Sequence, residues 1–567
     1  MRNRVVVGAL FALVAASLAG PTTVATARSD DRVKEYVVLY QRGASLADAR
    51  AAIASLGGTI VDELSSIGVA RVRSAEADFV SQVMGKSALA GAARNEIVGY
   101  VTPALREKTD EVESLAAARV AASGEQRTTA PEAEPLAGLQ WDMDMIHATA
   151  DESQAVQPGN KQVLVGIIDT GIDGSHPDIA PNFDAELSRN FTTDIPLVDG
   201  PCNQEPDHSC TDPADVDEAG HGTHVAGTVT AAANGLGISG VAPNVTLVNL
   251  RAGQDSGFFF LFETLAALTY AADHGIDVVN MSFFTDPWLF NCRNNPLDSS
   301  NAQVEQSTII DASNAALNYA YEHGVTLIAA EGNDHMDIGS PAYDAISPDF
   351  PPGSEYVRDN ITNDCLIIPT EGDNVLSISA LGPSGRKSYY SNYGVEQTVV
   401  SAPGGDRRDF FGTPQYNTPG TRILSSYPAA LAMEEHLING NFKSIDPLAV
   451  VDCKGKRSSR GNCGVYVYQQ GTSMASPHAV GVAALIISQF GSGTGASFGL
   501  APATVEQKLR DTATDTPCPA QNPFVYPDLV GADPNVPFEA LCVGDADFNG
   551  FNGDGIVNAL AAVTAGP

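Results

Sequence analysis

Three side-chain types that could share one proton-transfer chain occur at separate points of the sequence. Asp169 ends the apolar segment V-G-I-I-D-T-G, His221 begins H-G-T-H-V-A-G, and Ser473 lies within G-T-S-M-A-S-P-H. A serine hydroxyl is a weak nucleophile unless a base removes its proton, and an imidazole serves as that base when a carboxylate holds its tautomer. Each residue alone could be a turn or helix-cap residue, but all three in one chain favour nucleophilic catalysis.

The segments around these residues predict a sheet whose strand ends bring them together. Asp169 ends a strand-like run, whereas His221 and Ser473 begin predicted helices. Polar groups in open α/β sheets converge beyond the carboxyl ends of the strands, so these positions suit one site. Apolar runs alternate with helical stretches, which predicts an α/β fold with a parallel sheet and helices on both faces. The predicted strands are 163–168, 246–250, 278–281, 325–330 and 375–380, and the predicted helices are 223–233, 261–274, 309–323 and 474–490.

The N-terminal part of the chain differs in composition from the rest, and this difference predicts separate units. Residues 106–138 are charged and rich in Ala, Pro and Glu, as in an exposed linker. We therefore predict a small α+β domain at 28–105, a linker at 106–138 and a larger domain at 139–567. The small domain has strand-like runs at 35–40, 59–61, 69–72 and 97–101 and a helical stretch at 45–56.

The first 27 residues predict a secretory signal. Arg2 and Arg4 precede an apolar run at 5–19, and Ala25-Thr26-Ala27 supplies the small residues of a cleavage site. A membrane anchor is the alternative, but this run is shorter than the ~20 residues that a spanning helix needs. No later segment is predicted to be long and apolar enough to cross a membrane, so we expect a secreted, extracellular protein without a membrane partner.

A large negative charge limits the classes of partner. Across 567 residues, 32 Lys and Arg stand against 68 Asp and Glu, a formal net charge of −36. A nucleic-acid binder needs a basic surface to neutralise phosphates, so the charge argues against nucleic-acid partners. The hydrophobic fraction of 43 % is typical of a globular chain and too high for disorder. We expect a monomer.

Eight cysteines favour disulfide bonds. An even number of cysteines in an exported chain is typical of a disulfide-stabilised protein. A zinc cluster is the alternative, but the sequence has no C-x-x-C pair. Proximity along the chain suggests three pairs and leaves a fourth: Cys202–Cys210, Cys453–Cys463, Cys518–Cys542 and then Cys292–Cys365.

The three motifs resemble those of the subtilisin-like serine peptidases, the subtilases. Asp, His and Ser follow one another in the order found in subtilisin, which differs from the orders in chymotrypsin and the α/β-hydrolases. The resemblance spans the signal, a pro-region and the catalytic domain. It implies a subtilisin-like fold and a secreted serine endopeptidase with Asp169, His221 and Ser473 as its triad. It also implies that Asn333, which ends V-T-L-I-A-A-E-G-N, donates its side-chain amide to the oxyanion, together with the backbone N–H of Ser473.

The resemblance also implies residues that bind substrate, with two departures from the family pattern. Ser282 belongs to the segment that pairs with the substrate backbone and forms one wall of the primary pocket, and Gly332 is assigned to the same function. Phe283 and Phe284 stand where the family has an aliphatic residue and a glycine. Glu331 stands where the family has a small residue, and it could either favour basic substrate side chains or point away from the pocket.

A structural calcium ion is implied as well, but no catalytic cofactor. The expected ligands are the side chains of Asp178 and Asn234 and the backbone carbonyls of Ala232, Leu236 and Ile238. Such an all-oxygen set suits calcium. An ordinary Asn-Gly turn is the alternative interpretation of the same loop.

Residues 28–105 loosely resemble the ferredoxin-like subtilase propeptide. The resemblance implies a self-processed zymogen, whose propeptide is a folding template and is cut from the enzyme within 106–138. The expected partners are protein or peptide substrates and the chain's own propeptide. A processing protease of narrow specificity is the nearest alternative, and a catalytically silent binding protein of the same fold is a more distant one. A lipase or esterase would need a G-x-S-x-G motif, which the sequence lacks.

Overall fold

The computed structural model of the protein describes residues 33–95, 133–204, 208–351, 353–455, 461–529 and 538–566. The predicted signal at 1–27, most of the predicted linker and the predicted strand at 97–101 lie outside these residues. The described part of the chain forms an N-terminal unit, residues 33–95, and a larger domain that begins at residue 133.

The N-terminal unit is a four-stranded antiparallel sheet with two helices. The strand order is β2-β3-β1-β4, and the helices share an apolar core with one face of the sheet. Ser45 begins the first helix, because its hydroxyl accepts a hydrogen bond from the Asp48 backbone N–H. The last strand, at 89–94, and the second helix were not predicted. The elements are β1 (Lys34–Tyr40), α1 (Leu46–Ser55), β2 (Thr59–Leu64), β3 (Val69–Ser74), α2 (Phe79–Val83) and β4 (Leu89–Arg94).

The larger domain is built on a seven-stranded, wholly parallel sheet of order β13-β12-β9-β8-β5-β7-β6. An antiparallel sheet of order β14-β18-β17 and three two-stranded ribbons accompany it. The strands are β5 (Leu164–Ile168), β6 (Arg189–Asn190), β7 (Thr246–Arg251), β8 (Val278–Met281), β9 (Thr326–Ala330), β10 (Tyr343–Asp344), β11 (Arg358–Asp359), β12 (Val375–Leu381), β13 (Thr398–Pro403), β14 (Ile423–Ser426), β15 (Ile438–Asn439), β16 (Lys443–Ser444), β17 (Ala449–Cys453), β18 (Cys463–Gln469), β19 (Phe524–Val525) and β20 (Glu539–Ala540). The helices are α3 (Trp141–Met145), α4 (Ser153–Val156), α5 (His221–Thr230), α6 (Leu261–Asp273), α7 (Ser300–Glu322), α8 (Ala429–Glu434), α9 (Thr472–Phe490), α10 (Pro502–Asp511) and α11 (Ala559–Thr564).

Helices cover both faces of the parallel sheet. Successive residues of a strand point to opposite faces, so Ile167 and Ile168 of β5 enter different cores. Ile167 packs in the core that contains residues of α5 and α9, whereas Ile168 packs in the core that contains residues of α6 and α7. The predicted α/β fold is therefore confirmed.

The N-terminal unit packs on α6 and α7. Two ion pairs join the unit to these helices: Arg71 to Glu263 of α6 at 3.2 Å, and Arg94 to Glu305 of α7 through hydrogen bonds of 2.8 and 3.0 Å. The open face of the unit's sheet thus covers the outer surface of two neighbouring helices. Four of its buried apolar residues share a core with these helices: Val37, Leu39, Val69 and Ala93.

All four suggested disulfide bonds are present. They are Cys202–Cys210, Cys292–Cys365, Cys453–Cys463 and Cys518–Cys542.

Helix α9 corrects one expectation from the sequence. Among the described residues it is the one helix that is long and apolar enough, by length and composition, to cross a membrane. However, 89 % of its most apolar window is buried inside the protein. Its apolar surface is therefore covered by the domain core.

Candidate active site

Asp169 and His221 form a hydrogen-bonded pair at the end of strand β5. Asp169 follows the last residue of the strand and is fully buried, and its Oδ1 lies 2.8 Å from Nδ1 of His221. The same oxygen accepts the backbone N–H of Thr170 at 2.8 Å. Because Nδ1 is engaged by the carboxylate, proton exchange with a nucleophile falls to Nε2 of His221.

A second buried carboxylate, Asp217, holds the start of α5 and therefore the position of His221. Its Oδ1 accepts the backbone N–H of Gly220 at 2.8 Å, and its Oδ2 accepts that of Thr223 at 3.0 Å. These bonds satisfy N–H groups that have no partner within the helix. Burial raises the pKa of Asp217. The sequence analysis missed this residue, although an Asp four positions before the helix-starting His was a usable signal.

Ser473 lies at the start of α9 and is bonded to the end of strand β8. Its hydroxyl donates to the carbonyl oxygen of Ser282 at 3.4 Å, and the Ser282 hydroxyl donates to the carbonyl oxygen of Ser473 at 3.1 Å. Asn280 donates to the Ser282 hydroxyl at 2.8 Å and accepts from Ser476 of α9 at 2.7 Å. The structure thus brings the predicted nucleophile and the predicted substrate-binding Ser282 together.

Asn333 lies beside Ser473 with its amide held in one orientation. Its Oδ1 accepts both the backbone N–H and the hydroxyl of Thr472 at 2.9 Å. The amide nitrogen is therefore the end of Asn333 that can donate to a substrate oxygen. The Thr472 hydroxyl also accepts the backbone N–H of Gly332 at 3.1 Å. Thr472 was not identified from the sequence.

Sheet topology explains why these residues converge. Strands β5, β8 and β9 are neighbours in the order β9-β8-β5, and they run parallel. Asp169 directly follows β5, Ser282 directly follows β8, and Gly332 and Asn333 come two and three residues after the end of β9. The carboxyl ends of these three strands therefore present the predicted residues along one edge of the sheet.

The predicted substrate-binding phenylalanines lie in separate surroundings. The ring of Phe283 stacks on that of Phe259, with centroids 4.1 Å apart and planes inclined by 3°. Phe284 packs against a different apolar cluster, which includes Leu289 and Phe290. Phe259 was missed because nothing in its local sequence indicates a contact with Phe283.

The side chain of Glu331 lies inside the protein, away from solvent. The side chain is fully buried, and its Oε1 accepts the hydroxyl of Thr398 at 2.7 Å. Burial raises the pKa of Glu331 well above its ordinary range, although the Thr398 hydrogen bond and the nearby Lys387 each lower it by less. Of the two interpretations offered for this departure, the structure supports the second, in which Glu331 does not meet substrate.

The predicted calcium ligands are close together but are bonded to protein groups. Asp178 Oδ1 accepts from Asn234 Nδ2 at 3.0 Å, and Oδ2 accepts from the Tyr466 hydroxyl at 2.6 Å and from the Ile238 backbone N–H at 3.3 Å. The Lys454 ammonium donates to the Asn234 carbonyl at 2.5 Å and to its Oδ1 at 3.0 Å. The side-chain oxygens of both predicted side-chain ligands, Asp178 and Asn234, thus accept hydrogen bonds from protein donors, one of which is cationic.

Glu134 is a further protein group that contacts the predicted calcium loop. This loop contains Asn234, Leu236 and the carbonyls of Ala232 and Ile238. The Glu134 carboxylate accepts backbone hydrogen bonds from Asn234, Gly235 and Leu236, and burial raises its pKa. Among the described residues, Glu134 Oε2 has no donor, but Glu134 is not in the predicted ligand set. That set does not fit a calcium ion in this arrangement, and we assign none to it.

One other cluster of carboxylates lies between β6 and the segment after β7. Ligand atoms of Asp194, Asp212 and Asp255 lie within 4.8 Å of one another. All three pair with the fully buried Arg251, and two of the distances are 3.2 Å to Asp194 and 2.9 Å to Asp255. Burial raises the pKa of Asp255 to about 8. The guanidinium accounts for the convergence of these acids, so no metal is assigned there.

Comparison with known proteins matches residues 160–526 to the subtilase family. Subtilisin DY of Bacillus licheniformis is 27% identical over 366 residues, which are 65% of this chain and 89% of that protein. The nisin leader peptide-processing serine protease NisP of Lactococcus lactis is 27% identical over 354 residues, 62% of this chain but 44% of that longer protein. The solved structure of the epidermin leader peptide-processing serine protease of Staphylococcus aureus superposes with a TM-score of 0.58 at 20% identity and covers 94% of this chain and 98% of that one. That last likeness concerns the fold.

Proposed function

Because this chain belongs to the subtilase family of serine peptidases, we propose that it is an endopeptidase that cleaves peptide bonds through an acyl-enzyme on Ser473. The observation that carries this assignment is the 2.8 Å bond between Asp169 and His221, at the same sheet edge as the Ser473–Thr472–Asn333 cluster. Nucleophile, base, orienting carboxylate and oxyanion donor are thus all supplied by this chain.

In the proposed reaction, Nε2 of His221 removes the proton of the Ser473 hydroxyl as Oγ bonds to the substrate carbonyl carbon. The carbonyl oxygen becomes an oxyanion, which accepts hydrogen bonds from the Asn333 amide and the Ser473 backbone N–H. His221 then gives its proton to the departing amine, and the peptide C–N bond breaks. Water, deprotonated by the same imidazole, hydrolyses the acyl-enzyme and restores the Ser473 hydroxyl. Asp169 steadies the imidazolium and remains ionised.

We propose further that the chain is a secreted zymogen, with the predicted signal at 1–27 and the N-terminal unit as its propeptide. The docking of this unit on α6 and α7 supports a template or inhibitor function. The maturation cut is expected within the predicted linker, between residues 106 and 132. Downstream residues are integrated into the larger domain, since the Leu136 N–H donates to the Gly237 carbonyl at 2.7 Å and Gln140 bonds to Ser239 in both directions at 2.9 and 3.3 Å.

A narrow-specificity processing protease is the second candidate. The Phe259–Phe283 stack, directly after Ser282, supports it, because a fixed pair of rings beside the substrate segment restricts which side chains can fit. The resemblance to leader peptide-processing proteases points the same way. Sequencing the peptides cut from a denatured protein mixture distinguishes the candidates: a broad peptidase cuts after many residue types, and a processing enzyme cuts few sites.

Replacing Ser473 tests the proposal. We expect Ser473→Ala to leave the purified precursor uncut and to abolish covalent labelling by a fluorophosphonate. Ser488, a buried serine on the same helix, is the matched control. Ser488→Ala should retain both labelling and self-cleavage. Self-cleavage by Ser473→Ala would refute the assignment, and absence of labelling in the wild-type chain would instead favour a silent binding protein.

A further inference from the structure

Asn392, which lies between β12 and β13, forms hydrogen bonds to the turn that contains Asn333 on both sides of that residue. Asn392 is fully buried. Its backbone N–H donates to the Gly332 carbonyl at 2.9 Å, and its Nδ2 donates to the Glu331 carbonyl and to Asp334 Oδ2, each at 3.1 Å. The Asn392 amide therefore donates one hydrogen bond to the residue two positions before Asn333 and one to the residue directly after it.

The amide oxygen of Asn392 acts on the same turn. Oδ1 accepts the backbone N–H of Asp334 and that of Met336, each at 3.0 Å. The neighbours of Asn392 extend this contact, since the N–H of His335 donates to the Tyr390 carbonyl at 2.7 Å. One side chain thus satisfies backbone groups on both flanks of Asn333, at Glu331 before it and at Asp334 and Met336 after it.

The turn is shaped for this close approach. Gly332 has φ +104, a left-handed conformation that a residue with a side chain rarely adopts. A Cβ atom added to Gly332 would lie 2.4 Å from Asn392 Nδ2. Glycine at this position therefore permits both the backbone conformation and the contact with Asn392.

We propose that Asn392 is a positioning residue for catalysis, which fixes the backbone on both sides of Asn333 so that its amide meets the oxyanion. Thr472 fixes the orientation of the Asn333 amide group, but it does not fix where the backbone carries that group. An oxyanion donor contributes only when it lies at hydrogen-bond distance from the developing charge, and a displacement of ~1 Å can cost ~10²-fold in rate. This inference rests on the proposed function, in which Asn333 is that donor.

The chemistry at position 392 requires an amide. A carboxylate in its place could accept the N–H groups of Asp334 and Met336, but its second oxygen would face the Glu331 carbonyl and the Asp334 carboxylate. Asn392→Asp therefore retains the shape and removes the two donors, whereas Asn392→Ala removes all four side-chain bonds.

A double-mutant cycle between Asn333 and Asn392 tests the proposal. With a fluorogenic peptide, we expect Asn392→Ala and Asn392→Asp each to lower kcat by about 10–10²-fold with KM changed less than about threefold, since the lost interaction is made in the transition state. In a chain that already carries Asn333→Ala, the same changes at 392 should lower kcat less than about threefold further. A merely structural role would give the same loss in both backgrounds.

Stability is measured beside the kinetics. Asn182→Ala is the matched control, because Asn182 is also buried and donates to two backbone carbonyls, those of Thr230 and Pro243. It should lower Tm without a selective loss of kcat. If Asn392→Ala fails to fold, the milder Asn392→Asp supplies the same comparison.

Three outcomes would overturn the inference, and each is distinguishable from failure of the peptidase assignment. If Asn333→Ala loses activity but the Asn392 variants keep the wild-type kcat, the positioning role is wrong and the peptidase assignment stands. The role is also wrong if the losses at 333 and 392 multiply. If Asn333→Ala is as active as the wild type, the oxyanion assignment fails and the role of Asn392 fails with it. Failure of Ser473 labelling addresses the peptidase assignment separately.

Discussion

Raising the pH should weaken the contact between the N-terminal unit and the larger domain through Glu263. This carboxyl lies under the unit, where Oε1 accepts from Arg71 at 3.2 Å and Oε2 accepts from Asn95 Nδ2 at 3.3 Å. Burial raises the pKa of Glu263 to about 7, partly offset by a backbone hydrogen bond and by Arg71. Once the unit has left, we expect a hydrated carboxyl with its ordinary pKa of 4.5.

The sign of the effect follows from proton linkage. The docked state holds the Glu263 proton more tightly than the separated state does, so separation releases a proton at pH values between 4.5 and about 7. Docking is therefore favoured at low pH and is progressively weakened as the pH rises through this window. The difference between the two pKa values, 7 − 4.5 = 2.5, corresponds to about 3 kcal/mol, or on the order of 10²-fold in Kd.

The assay uses the full chain with Ser473→Ala, which prevents self-digestion, and with a recognition site for a sequence-specific protease introduced within 106–132. After that protease has cut, only the interface holds the two parts together. Sedimentation velocity from about pH 5 to about pH 8 then gives Kd, which we expect to rise on the order of 10²-fold. Glu263→Gln should remove most of this rise.

Glu305→Gln is the matched control, because Glu305 pairs with Arg94 across the same interface. It should weaken the complex but leave the pH-dependent rise in place. The reasoning is refuted if Glu263→Gln retains the full rise, or if the wild-type complex becomes tighter as the pH increases.

Two further predictions concern stability and the loop expected to bind calcium. Replacing both cysteines of the Cys292–Cys365 bond by Ala should lower the free energy of unfolding by about 4 kcal/mol, because this bond closes a sequence separation of 73. The same replacement of Cys202 and Cys210, whose separation is 8, should lower it by about 2 kcal/mol. Urea titrations compare the two variants, and equal losses would contradict the chain-entropy account. Lys454→Met should lower Tm in EDTA and in calcium alike, because its ammonium is replaced by an apolar group beside the Asn234 oxygens. Asn234→Ala should leave any calcium dependence of Tm unchanged, and calorimetry that finds this dependence abolished would show that the loop binds calcium after all.

The central sheet could be predicted from sequence because its strands are buried on both faces. Such strands read as continuous apolar runs, and the run at 278–281 coincides with β8. Asp169, Ser473 and Asn333 follow or begin elements whose apolar pattern is local, so their positions at strand and helix ends were predictable too. Their spatial convergence then followed from the parallel order of the strands.

Elements whose polar residues bind partners far away in the sequence were predicted less accurately. Helix α7 begins at residue 300 rather than 309, since Ser299 accepts the Ala302 N–H and caps it. Its first turns carry the buried Gln306, whose Oε1 accepts from Arg358 at 2.8 Å, and a glutamate that pairs with the N-terminal unit. A run of polar residues does not indicate burial until those partners are known.

The proposed catalytic residues differ from the residues that support them in the same way. A catalytic motif is read from a few adjacent residues, but Asn392 lies 61 positions from the Glu331 carbonyl that it binds. The loop expected to bind calcium shows the converse. The oxygens expected to bind calcium lie where the resemblance places them in the sequence, yet Lys454 reaches Asn234 from 220 positions away and Tyr466 reaches Asp178 from 288 positions away. A ligand pattern in a sequence therefore predicts that oxygens converge, whereas the remote residues that reach them decide whether a cation or a protein donor occupies the centre.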